Sequence, residues 1–595
     1  MLEGFETTIR DRFRIEEYSK VNKVCDLREA IQKNVMPGMT LHLGMAGPRW
    51  STAAIYELAR QFWGTKPEFI VESLSANHPV CVLVRGGLIK KLNCAYFADP
   101  YYTLSPNTIF ASAVLDGSLE IEHWSLYTHT LRLRAAALGV GFLPTRSLVG
   151  SSMAEGNKGS FLVMVDPFQS GQKLGLVKAV YPDLSIYHGW IADREGNTIF
   201  HPPIGEGLDG AYASRGGVLI TVEKIVSTDY IRTHASLVQL PGHMVRNVCE
   251  VPFGAHPSGM YNRELTDFEG YAEDYEFVDR ARQATRDIAK WDAWIDEWVL
   301  GCRDHQEYLR KLGTERILYL KGKARSDCWL YDTQALDAIQ KTEMYSAVEM
   351  AIITSARKLN EIIQKKGYQT VLCGAGIPNL GAWLAWFELN KTGYPLQLMA
   401  EVGLYGYSPR PFEPYIFNHR NFPTCKLLTG VQTMLGVFTG GGTNKCIGAL
   451  GAAEVDKHGN VNTTRIGSDR YLVGSGGAND VASAAQEVIV TAIHDRTRFV
   501  DRVSYITSPG WKVKTLISTL GVFEKLADDQ EFTLTGYYPS PKFSTPDEHI
   551  RYIKENCSWD LKVCDHLHEI APPTDAELKL LRIFDPYRYF LGKQA

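Results

Sequence analysis

The feature that most constrains this chain is a pattern that occurs twice. HGWIADREGNTI at His188–Ile199 and LGAAEVDKHGNVNT at Leu450–Thr463 each place an aspartate ahead of Gly-Asn, at Asp193/Gly196-Asn197 and Asp456/Gly459-Asn460. GGVLITVEKIV (Gly216–Val226) then returns loosely as AQEVIVTAIHD (Ala485–Asp495). On its own, D-x-x-G-N is a common Asx and glycine turn. Several matches in one order, each set preceded by a strand ending in glycine near Gly44 or Gly374, point to two related halves.

Each half reads as strand alternating with helix. Thr40–Gly44 is a short apolar strand closed by glycine, and after a turn at Gly47-Pro48 Ser51 is placed to cap a helix through STAAIYELARQFW. Pro67–Ser73 and Gly217–Glu223 read as further buried strands. In the second half Thr370–Gly374, Leu396–Ala400, Glu487–Thr491 and Arg502–Ile506 read as strands, and NLGAWLAWFELNKTG as a helix. The expected fold class is α/β: two related open domains with mostly parallel sheets, joined by a helical segment. The domains are expected at 1–262, 263–335 (the helical connection, with Gly313 and Gly322 as breaks), 336–525, and 526–595. The last, with Pro539, Pro541 and Pro546, reads as an irregular or helical appendage.

Charge narrows the partners. Lys and Arg number 63 against 67 Asp and Glu, a net charge of −4, so no basic surplus exists to neutralise a nucleic-acid backbone. Eleven cysteines without a C-x-x-C pair suit a reducing cytoplasm better than a disulfide framework. MLEGFETTIRDRFRIEEYSK lacks the apolar centre of a signal peptide, and no apolar run approaches the ~18 residues of a membrane span. The expectation is a cytoplasmic protein with neither nucleic acid nor membrane as partner.

Several familiar routes to catalysis are missing. GGGTNK at Gly440–Lys445 is not a phosphate loop, because no glycine precedes Lys445 and Cys446 follows it. Gly374-Ala-Gly376 lacks the third glycine of a dinucleotide fingerprint. G-x-S-x-G and H-E-x-x-H do not occur, His566-Leu-His568 reads as a surface pair, and no metal site is expected.

Three stretches do carry chemistry. PLQLMA delivers Glu401 at the end of an apolar strand, immediately before Val402-Gly403, the place where α/β sheets hold ligands; the plain alternative is an edge or capping carboxylate. GSGGAND (Gly474–Asp480) precedes a helix, so its backbone N–H groups can point at an anion or a developing oxyanion, and Asp480 can cap that helix. FTGGGTNKCIGALG (Phe438–Gly451) supplies another glycine-lined loop.

In order, G-x-G-x-P, E-x-G-x-x-G, G-A-x-x-V-D-x-x-G-N-V-N-T-T, G-x-G-G-A-N-D and FVDRVSYITSPG between 374 and 510 resemble the β half of class I CoA-transferases of the glutaconate type. PGMTLHLGMAG (37–47), EHWSLYTHTLRLRAAALGVGFLPTRSLVGS (122–151), ADREGN (192–197) and VPFGAHPSG (251–259) resemble the α half, so the two halves look fused in one chain. The resemblance implies that Glu401 is the catalytic glutamate, attacking an acyl-CoA carbonyl and then carrying CoA as a glutamyl thioester. It also implies oxyanion or CoA contacts from Gly476, Gly477, Ala478 and Asn479, and a CoA channel along Gly440, Gly441 and Gly442. Gly44, Ser75 and Asn77 are expected to face Glu401. Coenzyme A enters as a substrate with no tightly bound cofactor, beside a small carboxylic acid, and a homo-oligomer is compatible. Arg49 or Arg146 is placed as a holder of a distal carboxylate. Ala400-Glu401-Val402-Gly403 departs from the Ser-Glu-Asn-Gly of better-known transferases and is closer to the glutaconate branch. Three alternatives stay open: a thioester hydrolase or C–C bond-cleaving enzyme using Glu122, an enoyl-CoA decarboxylase, and a non-catalytic acyl-CoA-binding protein.

Overall fold

The structure, a computed structural model, describes residues 21–45, 49–99, 101, 104–168, 171–262, 265–325, 336, 339, 344–467, 470–526, 529–540 and 542–592. Strands β1 (Thr40–Leu43), β2 (Phe69–Glu72), β3 (Ile89–Cys94), β4 (Glu120–His123), β5 (Leu184–Asp193), β6 (Val218–Val226) and β7 (Val245–Glu250) build the first sheet. They lie in the order β7-β6-β5-β1-β2-β3-β4, and every neighbouring pair is parallel. Helices α1 (Thr52–Phe62), α2 (His78–Arg85) and α3 (Leu126–Ala137) belong to this half. The strand β5, LSIYHGWIAD, is buried along its whole length, as a strand flanked on both edges and covered on both faces must be.

The second half repeats the plan with α4 (Ala347–Lys366), β8 (Thr370–Cys373), α5 (Ile377–Lys391), β9 (Gln397–Ala400), β10 (Leu404–Tyr405), β11 (Cys446–Gly451), α6 (Ala478–Ala484), β12 (Glu487–Ala492) and β13 (Val513–Ser518). Its central order, β13-β12-β11-β8-β9, is parallel throughout and matches β7-β6-β5-β1-β2 strand for strand. The repeated turns are also built alike. Asp193 Oδ1 accepts from the N–H groups of Gly196 and Asn197, and the Asn197 side chain accepts from the Gly242 N–H. Asp456 Oδ1 accepts from Asn460 N–H, and Asn460 accepts from Gly510 N–H. Gly196 (φ 98°) and Gly459 (φ 77°) take the left-handed backbone that each turn requires. The motif is therefore a structural clasp, and its recurrence marks two related halves.

Four readings change. Ser51 precedes α1 but makes no capping bond, because its hydroxyl is paired with Thr221 Oγ1 at 2.9 Å. Gly322 lies inside the helix Thr314–Lys323, whereas Gly313 (φ 89°) does separate two helices. The segment 502–506 is not a strand: Ile506 is bonded through both its N–H and its carbonyl to Ser152 of the first half. The stretch 526–595 is no appendage. After β14 (Gly521–Glu524), β15 (Thr533–Tyr537) and β16 (Lys562–Glu569) extend the second sheet, and α7 (Asp575–Phe584) packs on α4 and α5 through Leu578, Leu581 and Phe584. The prolines read as signs of irregularity there include Pro539, which follows β15, and Pro546, which opens the helix Pro546–Glu555. The turn at Gly47-Pro48 and most of 326–343, with the boundary at 335, lie outside the described residues. Among the described residues no helix is long and apolar enough to cross a membrane.

Candidate active site

The site is made where the halves are stitched together. Tyr96 of the first half and Gly474 of the second form an antiparallel bridge, the Phe97 N–H donates to Val473 O, and the Gly476 N–H donates to Ala95 O at 2.9 Å. One helix turn deeper, Asp480 reaches across the seam. Its carboxylate accepts from Ser125 Oγ (2.6 Å) and from the Tyr127 N–H (3.1 Å), so it caps α3 of the other half instead of its own helix. Asn479 completes the stitch, accepting from Leu148 N–H and donating to Thr507 O, both at 2.8 Å.

A cavity of about 630 Å³ opens at this seam, and Glu401 stands in its wall. The strand β9 brings the chain to Ala400, and a tight hairpin returns it through Leu404, which pairs with Ala400. Gly403 makes that turn with φ 123°, and a Cβ there would run into the Thr429 carbonyl. Glu401 thus sits at the apex of a rigid hairpin. A Cβ placed on Gly477 would lie 3.4 Å from Glu401 Cδ, so the carboxyl and the glycine turn are separated by about the width of one methyl group. Burial pushes the Glu401 carboxyl up to about 7; a bond from its own backbone N–H works against this, and the nearby Asp480 charge works with it. Asp480 is likewise raised to about 7 by burial.

The sequence candidates divide sharply. Ser75 and Asn77 line the same cavity as Glu401, as does Tyr96, which the sequence reading missed; the register sets Ser75 opposite Tyr96 and so turns all three to one side. Of the glycine turn, Gly476 N–H is taken by Ala95 and Ala478 N–H by Ser475 O (3.0 Å). Among the described residues the Gly477 N–H has no acceptor and remains available to a ligand. Asn479 is spent on the seam. Gly44 is not at the cavity: its Cα packs under the Tyr187 ring. Gly440, Gly441 and Gly442 lie outside the cavity lining, with the Gly440 carbonyl held by Arg146. Arg49 is buried and donates to the carbonyls of His201 and Pro203, which leaves it no role in holding a substrate carboxylate. Glu122 lies on β4, away from the cavity lining, its oxygens engaged by Lys91 (2.7 Å) and Trp124 Nε1 (2.8 Å). Asp480 was singled out only as a cap for its own helix; its true partner, Ser125, is 355 positions away, and no local pattern carries such a pairing.

A family model described as coenzyme A transferase matches residues 24–250 and 437–539, more than half of the chain. Glutaconate CoA-transferase of Acidaminococcus fermentans is made of two different polypeptides, and both are similar to this chain. One is 29% identical over 318 residues, covering 51% of this chain and 95% of its own length. The other is 27% identical over 272 residues, covering 42% of this chain and 95% of its own length. A single polypeptide here thus matches two there. An acyl-CoA transferase of E. coli O157:H7, solved as a thioester complex with CoA, has the same fold (TM-score 0.64, 16% identity, 95% of this chain and 96% of that one).

Proposed function

This chain belongs to the coenzyme A transferase family, and from that premise we propose that it moves CoA from an acyl-CoA to a free carboxylic acid through a glutamyl-CoA thioester on Glu401. The observation that carries the reading is the placement of Glu401 and the Gly476-Gly477 turn in the wall of one largely apolar cavity, with room for no more than a methyl group between the Gly477 Cα and the carboxyl. A carboxylate Oε of Glu401 attacks the thioester carbonyl, and the C–S bond breaks to give an acyl-glutamyl anhydride and the CoA thiolate. The thiolate then attacks the glutamyl carbonyl, releasing the first acid as its carboxylate and leaving CoA on Glu401. A second carboxylate reverses both steps and departs as the new acyl-CoA.

Both addition steps place negative charge on a carbonyl oxygen beside Glu401. The Gly477 N–H, unspent among the described residues and part of the turn that lines the cavity beside Glu401, is the donor we assign to that charge. Ser75, Asn77 and Tyr96 supply polar groups from the opposite half. The apolar wall keeps water from the anhydride and the thioester, each of which it would hydrolyse.

Hydrolysis or bond cleavage through Glu122 has no support in the geometry, since that side chain is held by Lys91 and Trp124 away from the cavity. Comparing Glu401→Gln with Glu122→Gln in an acyl-CoA exchange assay separates the two readings. Glu401→Gln loses roughly 10³-fold or more of kcat, as removal of a covalent nucleophile does, while Glu122→Gln stays within a few-fold of the parent. The reverse order would transfer the chemistry to Glu122.

A further inference from the structure

The cavity is lined in part by aromatic residues, some of them from the C-terminal region of the described chain. Tyr415 and Phe417 from the second half and Tyr589 and Phe590 from the segment after α7 all line it. Tyr101 ties these together: it stacks on Tyr275 with centroids 3.8 Å apart, meets Tyr415 edge-on at 5.3 Å and lies 6.4 Å from Tyr589. First half, connecting helices, second half and C-terminal segment therefore share one aromatic cluster.

That segment is built into the fold. The Asp585 carboxylate, fully buried, accepts from the backbone N–H groups of Tyr589 (2.8 Å), Phe590 (2.7 Å) and Leu591 (3.0 Å), which curls 585–591 into a hook. Arg588 ties the hook to Glu349 at the start of α4, and Leu591 is buried behind it. The rings of Tyr589 and Phe590 are thus held at the cavity by a satisfied network.

Charge inside the cavity is sparse. Arg49 and Arg146, the arginines that the sequence offered to a distal carboxylate, are engaged elsewhere. The cations that border the cavity are Arg470, which is exposed, and Arg498, which is paired with Asp495 at 3.0 Å. Arg470 is thus the one lining cation without an acidic partner among the described residues, and it stands at the exposed border. A second substrate carboxylate buried against the aromatic residues themselves would lose its hydration, at a cost that burial of charge makes large. A ring, in contrast, gains both apolar burial and edge-to-face contact there. Two residues of the lining from the first half also carry a buried polar atom without a partner, Asn77 Oδ1 and Tyr96 Oη, and such atoms are open to a hydrogen-bonding group of a bound thioester.

From this we infer that the C-terminal hook completes the acyl pocket, and that Tyr589 and Phe590 restrict it to uncharged ring-bearing acyl groups, aromatic or alicyclic, in preference to short dicarboxylic ones. The inference rests on the transferase reading above. The test measures kcat/KM with phenylacetyl-CoA, cyclohexanecarbonyl-CoA, glutaryl-CoA and acetyl-CoA, for the parent chain and for Tyr589→Ala, Phe590→Ala and Tyr589→Phe. The parent prefers the ring-bearing thioesters. Each alanine variant loses roughly 10-fold to 100-fold on them, the range a remodelled apolar pocket gives, while acetyl-CoA changes little and Tyr589→Phe keeps the preference. Where an alanine variant does not fold, Phe590→Leu replaces it, with the same shift in selectivity expected. Preference for glutaryl-CoA, or an equal loss on all four thioesters, overturns the pocket assignment while leaving the transferase reading intact. Full exchange by Glu401→Ala, or no exchange with any thioester, removes the transferase reading and the pocket with it.

Discussion

Glu401 carries a built-in tension between stability and reactivity. Burial raises its proton affinity from an ordinary 4.5 to about 7, yet the form that attacks in the proposed reaction is the carboxylate. The acid limb of kcat/KM therefore falls near pH 7, with activity rising as the proton leaves. The same shift fixes the sign for stability. Between pH 4.5 and 7 the unfolded chain ionises this group while the native state keeps the proton, so native stability drops across that window and stays lower above it. Glu401→Gln removes that penalty: thermal unfolding at pH 8 shifts upward, by an amount corresponding to about 3 kcal/mol, and at pH 4 it does not shift. A variant that is inactive and equally destabilised at both pH values would contradict this. Gly477 is the second informative residue. Its φ of −87° accepts alanine without strain, and a methyl there meets Glu401 Cδ at 3.4 Å and Leu126 Cδ1 at 3.5 Å. Gly477→Ala therefore folds normally but occupies the approach to the nucleophile, and kcat falls roughly 10-fold to 100-fold, the scale set by displacements of about 1 Å at a reacting centre.

At the scale of elements, the hairpin β9–β10 and the junction of α6 with α3 hold the geometry. Asp480 caps α3 across the seam, and truncating it leaves Ser125 Oγ and the Tyr127 N–H without their acceptor. Asp480→Ala destabilises the fold by about 2–4 kcal/mol, since buried groups lose their partners, measured as a lower denaturant midpoint. Asp480→Asn retains shape but removes a charge that adds to the burial shift of Glu401. The acid limb then moves to lower pH by a small amount, with burial still holding it above the ordinary carboxylate range; an unmoved limb would detach Asp480 from the nucleophile. The elements themselves were legible in the sequence. Strand–glycine–helix punctuation placed β1, β8, β9 and β12 to within a few residues, because parallel central strands are short apolar runs bounded by turn residues. The position of Glu401 at a strand end was legible as well, while the role proposed for it came from the ordered set of motifs and the family they resemble. What the sequence hid is pairing over distance. Nothing local shows that Asp480 serves α3, that Ser51 bonds Thr221 instead of capping, or that Asp585 curls Tyr589 and Phe590 back to a cavity built mainly by residues far away in the chain.

Seen whole, the molecule repeats one plan twice, and the proposed chemistry uses one of the two seams. Gly474 of the second half bridges Tyr96 of the first, and Gly205 of the first bridges Gly430 of the second, so the stitch is reciprocal. The two seams differ in content. Register pairs His42 with Glu72 and Leu372 with Met399; two residues further on, Leu74 stands where Glu401 stands. The glycine turn of the first half is also filled from within: Glu206 accepts from the Met45 N–H at 2.6 Å and lies 3.1 Å from His42 Nε2. On the function proposed above, one nucleophile per chain is expected. The decisive measurement is intact and peptide mass spectrometry after incubation with acyl-CoA and trapping. A gain of one CoA per chain, borne by the peptide that contains Glu401 and missing from Glu401→Gln, is the predicted result. Turnover with no covalent CoA on any peptide, or an adduct on a different residue, would contradict it.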